Sequence, residues 1–326
     1  MTDFNELSSF SYQLLILLTV ILSKTIISHF VHHEPLRYFQ FYCQKLSGKV
    51  NKQHNSPKQQ TIAGFVAIVI TLSPITIILW LFEAFVAVDF LWQALLLYLA
   101  IGSFGLARIN KTVAQALASK QNYLAKQTLK SWVLRETEPL SSLGLSKTSI
   151  EMLLLRTLQQ GYTVAAIFII FGPLSALCYR LVLEMHYCWN AKLTKYNHFG
   201  LYSKLIVDIL QWLPSRSFAL LLLFSSIGKN FILFWRLSRF HFFKLNNNIV
   251  LLLLALNLEI KLGGVALYND GDIKEKLRKI SFNDLARQPQ ITDIIHANNK
   301  IKSIVYISMF FIILTTVAIE FIAANI

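Results

Sequence analysis

Between Thr61 and Phe82 the chain reads TIAGFVAIVITLSPITIILWLF, without one Asp, Glu, Lys or Arg. A hydrocarbon core of about 30 Å is crossed by roughly 20 helical residues, so a run of this length and composition reads as a transmembrane helix. Further stretches read the same way: Ser11 to Val31, Val88 to Ala107, Tyr162 to Leu183, Ser217 to Trp235 and Val305 to Ala324. The expected fold is all-α, a polytopic integral membrane protein of five to six transmembrane helices, with residues 1–326 as a single membrane domain.

Composition supports this from another side. Hydrophobic residues make up 55% of the chain while the formal net charge is +14, so Lys and Arg must collect in the connections. Nucleic-acid binding would need that charge gathered on one soluble domain with interleaved aromatics, whereas the aromatics here fall inside or beside the apolar runs. No nucleic-acid partner is expected. Cys43, Cys178 and Cys188 form no C-x-x-C pair and cannot build a disulfide framework or a four-thiolate metal site. The apolar run at Ser11 follows an acidic segment, Thr2 to Phe10, with no small-residue cleavage site after it, and reads as a retained span.

Charge placement gives an orientation. Arg37, Lys45, Lys49, Lys52 and Lys58 separate the first two apolar runs, and only Glu83 and Asp89 separate the next two. Arg108 to Gly161 and Arg236 to Lys302 are again basic, which puts these connections in the cytoplasm and the N-terminus outside. Glu184 to Arg216 breaks the alternation, since it carries Lys192, Lys195, Lys204 and Arg216; it is re-entrant or one span is miscounted.

Residues 108–161 are expected to form a cytoplasmic helical connection. From Ile109, the positions Val113, Leu117, Leu124, Thr128 and Trp132 recur at near-helical spacing, with Lys111, Lys120, Lys126 and Lys130 elsewhere on the wheel. That pattern predicts a basic amphipathic helix on the lipid headgroups or under the spans. Residues 236–302 form a second cytoplasmic connection, in which Asn246 to Leu258 is apolar but too short to cross and is expected to be re-entrant or buried. The polar run Asn51 to Gln60 reads as a linker.

Familiar nucleotide, hydrolase and zinc signatures are absent from the sequence. His186 and Cys188, with Cys178 and His198 nearby, have the mixed spacing that seldom marks a ligand set, and the metal assignment is left unknown. His32 and His33 are expected to end the first span at the interface. Ionisable groups inside spans weigh more, because a charge in hydrocarbon needs a cavity or a partner. Lys229 sits inside the fifth span and Arg180 closes the fourth, while Lys24 and Glu320 lie close enough to span ends to snorkel.

Gly172-Pro173, Tyr179-Arg180, Phe199-Gly200, Asp208 and Trp212-Leu213-Pro214-Ser215-Arg216 occur in the order and spacing of a known family. Together they resemble the cobalamin-biosynthesis membrane proteins that make cobinamide from cobyric acid. His33-Glu34-Pro35-Leu36, Arg135-Glu136-Thr137, Ile150-Glu151, Leu262-Gly263-Gly264, Tyr268, Gly271 and Asp293-Ile294 extend the resemblance almost end to end. It implies an ATP-dependent, amide-forming synthase in the inner membrane of a bacterium. Such a synthase joins aminopropanol or its phosphate to a propionate of the corrin, with ATP and Mg²⁺ as cofactors, a corrinoid as substrate and corrinoid-pathway enzymes as possible partners.

On this reading Glu151 and Asp208 are the candidate catalytic acids. Arg135, Arg180 and Arg216 are candidates for binding phosphate or corrin carboxylates through a bidentate fork that Lys cannot match, with Tyr179, Trp212, Gly263 and Gly264 beside them. The chain departs from the family pattern where acids are usual: Leu155, Arg156 and Gln159 follow Glu151, His186 and Val207 replace Asp, and Leu245-Asn246-Asn247-Asn248 replaces a Ser-Pro-Asn-Ser-Gly stretch. Inner-membrane proteins associated with β-lactamase induction share the W-x-P-x-R region and lack most of those acids, so a non-enzymatic sensor or regulator is the alternative. A transporter would want paired, interrupted half-repeats, which are not seen.

Overall fold

The computed structural model describes residues 9–28, 36–52, 54–102, 104–227, 230–270, 273–278 and 280–324. His32, His33, Glu34, Pro35, Lys229 and Gly271 lie outside the described residues. In chain order the helices are α1 (Ser9–Ile27), α2 (Arg37–Val50), α3 (Pro57–Glu83), α4 (Asp89–Ala100), α5 (Leu106–Ala118), α6 (Asn122–Lys130), α7 (Ser142–Arg156) and α8 (Thr163–Cys188). They continue with α9 (Leu201–Leu210), α10 (Trp212–Phe224), α11 (Phe231–Phe242), α12 (Asn248–Asn257) and α13 (Ile291–Ala324). Strands β1 (Val265–Asp270) and β2 (Ile273–Arg278) form an antiparallel hairpin that pairs Val265 with Arg278, a small exception to the expected all-α fold.

Local chemistry sets several of these boundaries. The Ser56 hydroxyl accepts from the Gln59 N–H and the Gln59 side chain accepts from the Ser56 N–H, a capping box that starts α3 with Pro57 at its first position. A π-helical turn, Thr157–Tyr162, joins α7 to α8. Within α8 the chain kinks at Gly172, whose φ of 83° suits glycine, and Pro173 follows without an N–H to continue the ladder.

Among the described residues, four helices are long and apolar enough to cross a bilayer: Ser9–Ile27, Pro57–Glu83, Ser142–Cys188 and Ile291–Ile322. The broken pair α9 and α10 makes a fifth if counted as one span. Two expected spans are corrected. Val88 to Ala107 is the 12-residue α4, about 18 Å long at 1.5 Å per residue, which stops where Ile101 turns extended and Gly102 N–H bonds to Gln160 O at 2.8 Å. Ser217 to Trp235 is divided between α10 and α11. The final span begins sooner than its apolar part, because the polar turns from Ile291 are helical too.

The chain divides into two compact units: Met1–Phe104, Gln159–Leu210 and Ile307–Ile326 in one, Gly105–Leu158 and Gln211–Tyr306 in the other. In the first, α1, α4 and α8 bury Ile16, Leu17, Val20, Leu97, Phe168 and Leu183. A neighbouring cluster joins Cys43, Ala67, Ile68, Trp189 and Phe199, and the Trp189 indole donates to Cys43 O at 3.0 Å. Lipid is as apolar as these side chains, so tight packing and internal hydrogen bonds must hold such helices together. Ser11 donates to the Glu320 carboxylate, and Lys24 Nζ donates to Ile101 O while lying 4.8 Å from the Tyr98 ring centre. Both charges thus turn to protein partners.

In the second unit, the expected single amphipathic helix after Ile109 is two helices. It breaks at Lys120, whose φ is 57°, and α5 and α6 each pack on α7. Helix α12 packs on α10 and α11 with Ile249 to Leu256 buried throughout, which suits a sequence with no polar face.

Candidate functional site

The second unit assembles several separated sequence pieces at one buried carboxylate. Glu151, on α7, is 1% exposed. One of its oxygens takes a hydrogen bond from Arg135 Nη2, and the other accepts from Gly263 N–H at 2.8 Å. Gly263 has φ of +80°, and a Cβ there would fall 2.2 Å from Ile280 O, so only glycine fits this approach. The adjoining Leu262 pairs in both directions with Phe282, through bonds of 3.1 and 2.9 Å, which fixes the Gly263 amide in place. Glu136 N–H donates to Leu267 O at 2.9 Å, tying the Arg135-Glu136-Thr137 segment to β1, where Tyr268 is buried.

The surroundings are cationic. Lys261 Nζ pairs with Asp284 Oδ1 at 2.8 Å, and Ser281 donates to the same oxygen at 2.6 Å; these hydrogen bonds hold the exposed Asp284 carboxyl below the usual range. Lys147, near the start of α7, feels Lys261, Glu151 and Asp284. The Tyr268 phenol is pushed up by burial; Arg135 opposes that rise and Glu151 adds to it. The bond to this buried carboxylate fixes the Arg135 guanidinium, which has more donors than it uses here.

The Mg²⁺ implied by the family resemblance does not fit this donor set. Both Glu151 oxygens already accept from protein, and among the described residues no group of three His, Cys, Asp or Glu side chains could hold a metal ion.

Tyr179, Arg180 and Asp208 belong to the first unit. Arg180 Nη2 lies 2.6 Å from Glu184 Oε1, and Gln40 donates to the other Glu184 oxygen at 2.7 Å. Tyr179 is buried and its hydroxyl donates to Gln159 O at 3.0 Å, while Tyr187 donates to the Gln159 side chain at 2.7 Å. Neutral bonds therefore occupy Gln159, one of the positions that departs from the family pattern. Asp208 is half-buried on α9, one turn after Lys204. The two candidate acids, Glu151 and Asp208, fall in different units.

Arg216 and Trp212 lie on α10, with the guanidinium 5.5 Å from the indole ring centre. Arg216 Nε donates to Phe242 O at 2.6 Å, and its other nitrogens donate to Asn246 O, His241 O, Lys244 O and the Ser215 hydroxyl. It clamps the connection between α11 and α12. Asn247, in the stretch that replaces the family's Ser-Pro-Asn-Ser-Gly, donates to Gln211 Oε1 at 2.8 Å. Arg156, another departing position, donates to Trp132 O at 3.0 Å and lies over its ring.

Sequence reading did not single out Glu184, Gln40, Lys147 or Lys261. Glu184 carried a usable signal, its position one turn after Arg180, where opposite charges meet on a helix. Gln40 and Lys261 are brought in by distant segments and had none.

Long apolar helices holding buried charged and amide groups define a multi-pass helical membrane protein, here with a compact polar cluster around Glu151. Residues 16–300 match the family described as CobD/Cbib protein, and the chain belongs to that family. Its relatives include the cobalamin biosynthesis protein CobD of Chromobacterium violaceum, 29% identical over 66% of this chain and 69% of the relative. The CobD of Stutzerimonas stutzeri is 26% identical over 63% and 68%, and that of Leptospira interrogans 29% over 65% and 67%. None of these matches supports the β-lactamase-induction alternative. No solved structure matches the chain.

Proposed function

We propose that the chain acts in cobalamin biosynthesis as an amide-forming synthase that joins aminopropanol, or its phosphate, to a propionate of cobyric acid to give cobinamide. One observation carries the reading. Arg135, Glu151, Gly263 and Tyr268, drawn from separate family-like motifs, converge on one buried carboxylate although Glu151 and Gly263 stand 112 residues apart. Membership of the CobD/Cbib family supports the pathway and a corrinoid-related substrate.

In this reading ATP supplies the driving force by turning a carboxylate oxygen into a leaving group. The chain's own part is electrostatic. Arg135 neutralises the anionic substrate group through a planar fork, Lys147 and Lys261 add positive charge, and Glu151 acts as a positioning residue that fixes the Arg135 fork. Formation of the amide bonds the amine nitrogen to the activated carboxyl carbon and breaks that carbon's bond to the activated oxygen, which would leave with its phosphoryl group as phosphate, while the two protons shed by the ammonium pass to solvent.

The test is growth. In a bacterium lacking its own cobinamide-forming protein, this chain should restore cobalamin-dependent growth on cobyric acid, while cobinamide should support growth with or without it. A chain that reaches the membrane yet never permits growth on cobyric acid would sink the proposal. For the positioning role, Glu151→Gln should raise the KM for cobyric acid far more than it lowers kcat. An unchanged KM alongside lower abundance would mean that Glu151 serves folding only.

A further inference from the structure

Two contacts show that α8 is not one straight helix. The Tyr187 hydroxyl donates to Gln159 Oε1 at 2.7 Å, although 28 residues of straight helix would set them about 42 Å apart. A Cβ built at Gly102 would lie 2.9 Å from Arg180 Nη1 and 3.0 Å from Gln160 Cβ, so these two residues also meet. The chain turns back at the non-helical backbone of Gly172 and the ring of Pro173. Gln159 to Gly172 and Gly172 to Tyr187 are thus two limbs that come together at their open end. We propose that α8 is a helical hairpin that enters and leaves the bilayer by one face, and that this face is cytoplasmic.

Neighbouring helices mark the level of each end. Near the start of α1 the Tyr12 and Phe90 ring centres are 6.1 Å apart, and near its end Lys24 donates to Ile101 O. Next to Ile101, Gly102 N–H bonds to Gln160 O at 2.8 Å, so the first end of α8 lies where α1 ends. The second end lies there too. Helix α2 joins the end of α1 to the start of α3, and it holds the returning limb: Gln40 donates to Glu184 at 2.7 Å, Trp189 to Cys43 O at 3.0 Å and Asn51 to Lys195 O at 2.8 Å. All these groups belong to the first unit.

The distribution of polarity fits such a hairpin. From Val164 to Cys178 the sequence carries no charge, and Ile170 and Phe171, beside the turn, are exposed as lipid-facing side chains are. Pro173 has no N–H to satisfy in hydrocarbon. Gln159, Gln160, Arg180, Glu184 and Tyr187 gather at the open end instead. Arg37, Lys45, Lys49 and Lys52 share a face with Lys192 and Lys195, and the positive-inside rule puts that face in the cytoplasm. The break in charge alternation after Glu184 then disappears: Tyr162 to Leu183 is not a crossing, and the basic residues before and after it need not lie on opposite sides. A soluble ligand or partner that reaches the Arg180–Glu184 end of α8 comes from the cytoplasm. None of this depends on the amide-forming reaction.

Cysteine labelling of the full chain tests the hairpin. With the three native cysteines changed to serine, Gln121→Cys, before α8, and Thr194→Cys, after it, should both resist a membrane-impermeant thiol reagent in intact cells and react after permeabilisation. Ala84→Cys should react in intact cells. Labelling of Thr194→Cys but not of Gln121→Cys in intact cells would make α8 a crossing and overturn the hairpin; labelling of both would overturn the cytoplasmic assignment. The natural chain gives a second reading that needs no variant. Trypsin should cut after Lys192 or Lys195 in inside-out vesicles and leave both bonds intact in spheroplasts. Cleavage there in spheroplasts, or none in inside-out vesicles, would also overturn the proposal.

Discussion

The guanidinium of Arg180 meets the carboxylate of Glu184 one helical turn later, 2.6 Å away, with the two side chains 3% and 0% exposed. Gln40 on α2 holds the second oxygen of Glu184 and so ties the pair to another helix. Removing one member of a buried pair strands the other charge, which costs roughly 3–5 kcal/mol, whereas removing both with apolar replacements can be nearly neutral. Glu184→Leu or Arg180→Met alone should therefore lower unfolding stability in detergent far more than the two together. A double variant that folds and still supports growth on cobyric acid would make the pair structural; one that folds and fails would place Arg180 in the function.

Gly263 and Gly264 should not respond alike. Both have positive φ, but a Cβ at Gly263 meets Ile280 O at 2.2 Å while one at Gly264 meets nothing within 4 Å. Gly264→Ala should cost only the backbone strain, roughly 1–2 kcal/mol. Gly263→Ala should cost more and withdraw the amide from Glu151, abolishing growth on cobyric acid. Denaturant unfolding of the purified variants beside the growth assay checks this, and equal effects of the two substitutions would contradict it.

Arg216→Lys provides a contrast with Arg135→Lys. Arg216 feeds four backbone carbonyls and the Ser215 hydroxyl through a planar group, and a point charge with three donors cannot reproduce that geometry. The expected result is a loss of roughly 3 kcal/mol in stability and lower membrane abundance, with the KM of the surviving protein unchanged. Arg135→Lys should instead raise the KM for cobyric acid. A normal melting temperature for Arg216→Lys with a raised KM would return Arg216 to the substrate site.

The orientation argued from charge is testable after the three native cysteines are changed to serine. A cysteine at Gln121, between α5 and α6, should resist a membrane-impermeant thiol reagent in intact cells, and one at Ala84, just after α3, should react. The reverse pattern would invert the protein in the membrane.

Some of this was legible in the sequence because the cause is local. A bilayer demands about 20 apolar residues and a polar start signal can be read where it occurs, so Thr61 to Phe82 and the capping residues Ser56 and Gln59 declare α3 unaided. Hydropathy failed where tertiary packing takes the place of lipid: Leu91 to Ala100 is as apolar as a span, yet the helix that holds it is 12 residues long. Ile249 to Leu256, in a stretch read as too short to cross, is indeed a buried helix of 10 residues. The hairpin Val265–Asp270 and Ile273–Arg278 was missed because it is short and alone within a basic connection.

For the site, residue types were readable and partnerships were not. Arg135, Glu151 and Gly263 could each be named from their motifs, since a charge inside an apolar protein and a glycine pair both need explaining. That Glu151 is met by Arg135 and by the Gly263 amide, that Arg216 spends its donors on a backbone turn, and that Lys261 comes beside Lys147 depend on segments far apart in the chain. Local sequence sets where helices begin and which faces are apolar. Only the packed fold decides which buried charge faces which donor, because that depends on distances between segments that no spacing along the chain records.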